Sequence, residues 1–427
     1  MNKFSNYSNQ SRGSRSSSGG RGFGGRSNSS FRGGNASFNG KPFRRSGGGP
    51  KKSNIMPEMY IAKAVHTEAV SVYETDHKYE DFKLEKALFD NIAERDYIHP
   101  TKIQHKAIPH ILEGKDILGL ASTGSGKTAA FLIPMINKLL KDNTQRCLVV
   151  VPTRELAAQV QKELNLFAKQ TSIRSVLIIG GENIRLQTTF LKKNPQFVIG
   201  TPGRLKDLYN RGNLRLNTFN NVVLDEVDRM LDMGFIDDIK ELISKLTEEK
   251  QSLFFSATMT KESESIANKL LNNPVKVEIE KQSPLRSVDQ DVVKVKTYSE
   301  KIDVLHNILI KEEVKKTIVF TATKKESESL STQLNERGFK TGSIHGDKSQ
   351  HKRKRVIEMF SKDAITILVA TDVAARGIDI PDITHVINFD EPQSYDDYIH
   401  RIGRTGRIGK KGSAITFIYD KKTYSRW

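Results

Sequence analysis

The chain has 427 residues, with 68 Lys and Arg against 50 Asp and Glu and a single cysteine, Cys147. That length calls for two folded domains with flanking sequence, and one cysteine excludes an intramolecular disulfide. The absence of any apolar run of about 18 residues, or of an apolar signal core, argues against a membrane span or secretion, while a net charge of +18 points to a polyanionic partner, either nucleic acid or an acidic membrane surface.

The charge is uneven. Residues 1–60 hold eleven Lys and Arg against Glu58 alone, a net of +10 out of the +18 carried by the whole chain. The first 50 residues contain 12 Gly, 12 Ser and no acid, with Phe4, Tyr7, Phe23, Phe31, Phe38 and Phe43 spaced between arginines. Such a stretch cannot bury a core. It reads as a flexible linker or as a disordered nucleic-acid arm whose arginines reach phosphates and whose aromatics stack on bases. The arm is the favoured reading, because a spacer needs neither charge nor aromatics.

From about residue 80, short β-branched runs alternate with longer helical segments, the pattern of parallel strands joined by crossover helices, so the expected class is α/β. In "LGLASTGSGKTAAFLIP" (118–134) a short apolar segment leads through Ser122, Thr123, Gly124, Ser125, Gly126, Lys127 and Thr128 into a helical stretch. Backbone N–H groups of such a loop converge on phosphates, with Lys127 reaching the β and γ phosphates and the Thr128 hydroxyl ligating magnesium. The general pattern has Gly where Ala121 stands.

The runs "CLVVVP", "SVLIIGG", "QFVIGTP", "NVVLDE" and "SLFFSAT" follow as strands buried on both faces, with Cys147 a buried strand residue rather than a reactive thiol. In "NVVLDEVDRML" (221–231), Asp225, Glu226 and Asp228 crowd three carboxylates into four positions. Acids at a strand end that opens a helix can simply meet the helix dipole. If the segment instead joins the lysine loop at the carboxyl edge of one sheet, a chemical role follows. Asp225 holds magnesium through water, Glu226 orients or deprotonates the attacking water, and Asp228 links the site to another segment by hydrogen bonds. The reaction class is then hydrolysis of a nucleoside triphosphate. Around residues 280–295 polar residues and a proline interrupt the rhythm, which resumes in "TIVFTAT", "AITILVATD", "HVINFDEP" and "SAITFIYD". The expected division is a disordered tail and lead-in over 1–79, a first domain over 80–282, a linker over 283–295 and a second domain over 296–427.

Over about residues 80–420 these segments resemble one family, the DEAD-box RNA helicases of superfamily 2. The resemblance implies two tandem RecA-like parallel-sheet domains, ATP as substrate with magnesium, RNA as single strand or short duplex, and a monomer in the cytoplasm. "FKLEKALFDNIAERDYIHPTKIQ" is similar to the family's adenine-recognition segment, with Phe82 upstream, Tyr97 stacking on the base and Gln104 reading adenine. "PTREL" with Pro152, Thr153 and Arg154, Gly180 with Gly181, and "TPGRL" with Thr201, Gly203 and Arg204 resemble RNA-backbone segments. "SAT", with Ser256 and Thr258, resembles the link between hydrolysis and strand separation and is the expected partner of Asp228. In the second half the resemblance assigns Gln350, Arg353 and Thr371 to RNA and Asp379 to the ribose. From "HRIGRTGR" it takes Arg404 and Arg407 as arginine fingers that complete the ATP site on domain closure, with His400 in a coupling role. The basic run "HKRKR" (351–355) overlaps the RNA segment and is read as a solvated face, not an import signal.

Two departures stand out. Val227 replaces the family's alanine in DEVD, which adds bulk without touching the acids, so activity is expected to survive. The sequence also stops at Trp427, shortly after a strand-like run, which leaves the stability of the second domain in question. A DNA-translocating motor of the same superfamily and a non-enzymatic RNA chaperone are the competing readings. The adenine segment and "PTREL" disfavour the first, and the intact acids, lysine and arginines disfavour the second.

Overall fold

The computed structural model describes residues 56–63, 75–122, 124–279, 287–375, 380, 382–406 and 411–420. The basic arm and three of the expected site residues, Thr123, Asp379 and Arg407, lie outside them.

The first lobe is built on β1 (Ile117–Leu120), β2 (Cys147–Val150), β3 (Ser175–Ile178), β4 (Phe197–Gly200), β5 (Asn221–Leu224), β6 (Gln251–Ser256) and β7 (Val275–Glu278). They pair in parallel in the order β3-β4-β2-β5-β6-β1-β7. The valine, isoleucine and leucine runs of β2, β4 and β5 are buried on both faces, which only a sheet covered by helices on each side allows. One face packs Leu88, Ile103, Phe131 and Leu156, from helices Lys86–Ala93, Lys102–Leu112, Lys127–Lys141 and Arg154–Phe167. The other face packs Leu205, Met230, Ile239 and Ile266. Each such side chain stabilises the lobe by about 1.5–3 kcal/mol relative to exposure. Cys147 is fully buried in β2, and burial pushes its thiol pKa up.

The second lobe comprises β8 (Val288–Val295), β9 (Thr317–Phe320), β10 (Thr341–Ile344), β11 (Ile367–Ala370), β12 (His385–Asn388) and β13 (Gly412–Tyr419), all parallel in the order β10-β11-β9-β12-β13-β8. Both sheets fit the expected α/β class. Among the described residues no helix is long and apolar enough to cross a membrane.

Two boundaries differ from the sequence-based expectation. Residues 288–295, expected as linker, form β8, paired with β13 along its whole length. As the outer strand of the sheet it keeps Asp289, Asp291 and Lys294 away from the core, and such edge polarity hides a strand from a reading based on apolar runs. Residues 57–62, expected within a disordered lead-in, are folded. A 3-10 turn over Pro57–Tyr60 buries Tyr60 completely, and Ala62 forms an antiparallel bridge with Gln290 of β8.

Candidate nucleotide and RNA site

The strand order brings the carboxyl ends of β1, β6 and β5 side by side, and with them the three segments 121–128, 256–258 and 225–229. Gly124 and Gly126 sit at φ +84° and +96°, in the left-handed region that glycine alone enters freely. Gly126 also has no room for a side chain, since a Cβ there would meet Gln104 Nε2 at 2.6 Å. Lys127 opens the following helix, is buried, and donates from Nζ to the Ala121 carbonyl at 2.7 Å. Ser122, Ser125 and Thr128 line the same loop, half-buried.

All three acids of the DEVD segment are buried. Burial raises the Asp225 carboxyl to about 7, with Lys127 opposing the shift and Glu226 adding to it. Glu226 goes the other way. Burial would raise it, but the charges of Arg229, Lys127 and Arg404 together hold it below its ordinary value. Its backbone is left-handed at φ +54°, a conformation that costs a non-glycine residue about 1–2 kcal/mol. Two contacts hold it there: the Glu226 N–H donates to Asp225 Oδ1 at 2.9 Å, and Arg229 Nη1 donates to Glu226 Oε2 at 2.7 Å. Asp228 turns towards β6, where its Oδ2 accepts from the Ala257 N–H, the Thr258 N–H and the Thr258 hydroxyl at 3.1, 2.8 and 3.0 Å. The Asp228 N–H donates to Ser256 Oγ, which in turn donates to the Thr258 carbonyl.

These donors fit magnesium only in part, and the part is informative. Among the described residues no group of three or more His, Cys, Asp or Glu is arranged to hold a metal. One buried carboxylate, Asp225, and one hydroxyl, Thr128, are hard oxygen donors of the kind magnesium takes when a triphosphate supplies the rest of its coordination.

The adenine segment is tied into the phosphate loop. Gln104 is buried, with Oε1 accepting from the Tyr79 hydroxyl at 2.6 Å and the Thr101 N–H at 2.8 Å, while Nε2 donates to the Gly126 carbonyl at 3.1 Å. Both ends of the amide are thus occupied inside the protein. Phe82 packs edge-on against Tyr79, at 5.8 Å between ring centroids. Tyr97 is half-buried between Tyr79 and Phe167, with the Arg95 guanidinium over its ring.

The other half of the same sheet edge, behind β2, β4 and β3, carries the segments assigned to RNA. Pro152 and Thr153 are buried, and Thr153 caps the helix that begins at Arg154. Arg154 lies so close over Gly180 and Gly181 that a Cβ on Gly181 would collide with its guanidinium. Thr201 is buried ahead of helix Pro202–Asn210, Gly203 is exposed on it, and Arg204 Nη1 donates to the Glu182 carbonyl at 3.2 Å.

In the second lobe Thr371 follows β11, and Gln350 and Arg353 stand on the first turn of helix Gln350–Ser361, after β10. Both turn to the first lobe. Arg353 Nη2 meets Glu155 Oε1 at 2.9 Å with both side chains over nine-tenths buried, and Gln350 Nε2 donates to the same oxygen at 3.4 Å. Burial and the nearby Arg353 charge lower the Arg154 pKa, with Glu155 and Glu182 opposing the shift. Removing one member of such a buried pair costs about 2 kcal/mol or more. Glu155→Ala is therefore expected to raise the RNA concentration for half-maximal ATPase stimulation roughly thirtyfold. A titration indistinguishable from wild type would show that the contact does not contribute to closure.

Arg404 is buried in the turn that follows helix Tyr395–Ile402, and its charge reaches Glu226. His400 is half-buried on that helix. The helix is fixed by Arg401, whose Nε and Nη2 donate to the two carboxylate oxygens of Asp372 at 2.6 and 2.7 Å, while Nη1 donates to the Asp390 carbonyl at 2.6 Å.

Four residues were missed by the sequence reading: Tyr79, Glu155, Arg229 and Arg401. Arg229 was detectable, since it stands three positions after Glu226 on a helix. The others find their partners only in the folded chain.

Two family descriptions match this chain, "DEAD/DEAH box helicase" over residues 101–266 and "Helicase conserved C-terminal domain" over 300–409. It is 44% identical over 347 residues to the ATP-dependent RNA helicase CshA of Listeria monocytogenes, covering 81% of this chain and 66% of that protein. With the DEAD-box ATP-dependent RNA helicase CshA of Geobacillus kaustophilus it shares 45% identity over 342 residues, 80% of this chain and 73% of the relative. The chain thus spans about two thirds to three quarters of the length of these relatives. Among solved structures, Dbp5 of S. cerevisiae bound to RNA and ADP BeF3 superposes with a TM-score of 0.72 at 32% identity, covering 81% of this chain and 90% of that one.

Proposed function

We propose, for a chain that belongs to the DEAD-box family of ATP-dependent RNA helicases, that ATP and single-stranded RNA together draw its two RecA-like lobes around one cleft. ATP is hydrolysed there, and a short RNA duplex is opened locally. The observation that carries this reading is that the lobes meet, with Arg353 of the second paired to Glu155 of the first at 2.9 Å and the charge of Arg404 lowering the pKa of Glu226, which Arg229 bonds.

The division of labour follows from the residues. Lys127 exchanges the Ala121 carbonyl for the β and γ phosphates as the loop of residues 122–128 receives them. Gln104 exchanges partners to read adenine, and because it bonds the Gly126 carbonyl it reports base binding to the phosphate loop. Glu226, fixed by Arg229, accepts a proton from the attacking water. Thr128, and Asp225 through water, would hold magnesium beside the triphosphate, where it would supply neutralisation of charge on the phosphate oxygens. Arg404 enters on closure and stabilises the transferring phosphoryl group. Asp228 carries the change to Ser256, Ala257 and Thr258.

Arg154, Gly181, Thr201, Gly203, Arg204 and Thr371 serve RNA phosphate and ribose, and Gln350 and Arg353, bonded to Glu155 in this state, join them by exchanging that partner for phosphate. Binding is therefore sequence-tolerant, and bending of one strand opens the duplex. The basic arm of the first 50 residues adds phosphate contacts. We further infer a monomer working in the cytoplasm, where ATP and RNA meet and the lone cysteine stays reduced.

An ATPase assay tests the reading. Wild type is expected to be stimulated by RNA and not by DNA, and Lys127→Ala to lose about a hundredfold or more of that turnover. Equal stimulation by DNA, or a fully active Lys127→Ala, would refute it.

A further inference from the structure

The turn over Pro57–Tyr60 and the bridge at Ala62 attach the start of the described chain to the second lobe, although the next described residue, Thr75, bonds His105 in the first. Three observations show what this strap holds. The Ala62 N–H donates to the Gln290 carbonyl at 3.2 Å and the Gln290 N–H donates back at 2.7 Å, an antiparallel pairing on the outer strand of an otherwise parallel sheet.

The Tyr60 ring is fully buried at 4.8 Å and 63° from that of Tyr398, in a cluster with Val288, Ile402 and Ala414. Met56, Met59 and Ile61 around it are 68%, 45% and 56% exposed, so Tyr60 is the side chain that anchors the turn. The Tyr398 hydroxyl donates to Gln290 Oε1 at 2.8 Å, which closes the connection from strap to helix to strand.

The helix so held is Tyr395–Ile402, and the chain passes from it through Gly403 directly to Arg404. The turn beyond rests on the same strand: a Cβ on Gly406 would meet Val288 Cγ2 at 2.6 Å, and Ser287 Oγ donates to the Gly406 carbonyl at 2.9 Å. An eight-residue helix has little stability of its own, so packing sets its position. Arg401 fixes its side towards β11 and β12, and Tyr60 with β8 fixes the other.

We propose that Tyr60 is a positioning residue of the ATPase: residues 57–62 pin helix 395–402 to the free edge of the second sheet and thereby aim Arg404 at the cleft. This rests on the reading of Arg404 given above.

The test compares full-length Tyr60→Ala, Tyr60→Phe, Arg404→Ala and the Tyr60→Ala/Arg404→Ala double variant by RNA-stimulated ATPase, alongside thermal unfolding. A displacement of the finger acts on the transition state. Tyr60→Ala is therefore expected to lower kcat about tenfold or more, with the KM for ATP within about twofold of wild type. Tyr60→Phe keeps the ring and is expected to keep the rate, and in the double variant the Tyr60 change adds no further loss. Ala62→Pro removes the bridging N–H and leaves the ring in place. It is expected to lower kcat in the same direction, and it serves where Tyr60→Ala does not fold. A folded Tyr60→Ala or Ala62→Pro with wild-type kcat, beside an inactive Arg404→Ala, overturns the strap proposal. A fully active Arg404→Ala overturns the finger reading instead.

Discussion

Replacing Arg404 by alanine is expected to lower RNA-stimulated kcat by about a thousandfold or more, the range in which arginine fingers act. Arg404 lies on the second lobe, whereas the phosphate loop, Asp225 and Glu226 all belong to the first. Its contribution therefore exists only when the lobes meet, and it falls on the transition state rather than on ATP binding. The KM for ATP should change little. Arg404→Lys should recover only a small part of the rate, because an ammonium cannot match two phosphate oxygens at once. One local consequence is specific to this site. Arg404 is one of three cations that hold the buried Glu226 ionised, so its removal also makes the base harder to ionise. A variant with a raised KM and an unchanged kcat would assign Arg404 to ground-state binding instead.

Glu226→Gln is the second large effect, a loss of about a hundred- to ten-thousandfold in turnover with ATP and RNA binding retained. The variant should fold, because the amide oxygen of glutamine can still accept from Arg229 and the backbone keeps its bond to Asp225. What disappears is the proton acceptor. A stable complex with ATP and RNA should then accumulate, visible as slow RNA release in a binding assay with ATP present. Arg229→Met should mimic part of this loss by freeing the carboxylate from its fixed orientation. Normal turnover in Glu226→Gln would move the base to another residue.

The competing sequence readings are resolved by the same site. The curated relatives bear the name RNA helicase, and the acids and lysine are brought into one cluster, which disfavours both a DNA motor and a chaperone without turnover. Val227, the departure from the family tetrapeptide, is fully buried against the apolar face that also holds Met230 and Leu224. The extra methyl groups are absorbed by the core, and the three acids around it keep their partners.

By itself the sequence determined the α/β class, most of the inner strands and the family. Those features are written locally: a run such as "CLVVVP" reports burial on both faces, and the Gly-Ser-Gly-Lys spacing reports a loop whose backbone approaches phosphate. Tertiary structure alone decided the rest. The outer strand β8 was read as linker because its polar flank faces outward, and short β10, with Gly342 and Ser343 at its centre, carried no apolar signal. Glu155 and Gln350 are 195 positions apart in sequence yet bonded, and Tyr60 is buried in the lobe furthest from it along the chain. Periodicity records which face of an element is buried, and it contains no term for which distant element lies against that face. Strand order and lobe closure supply that term.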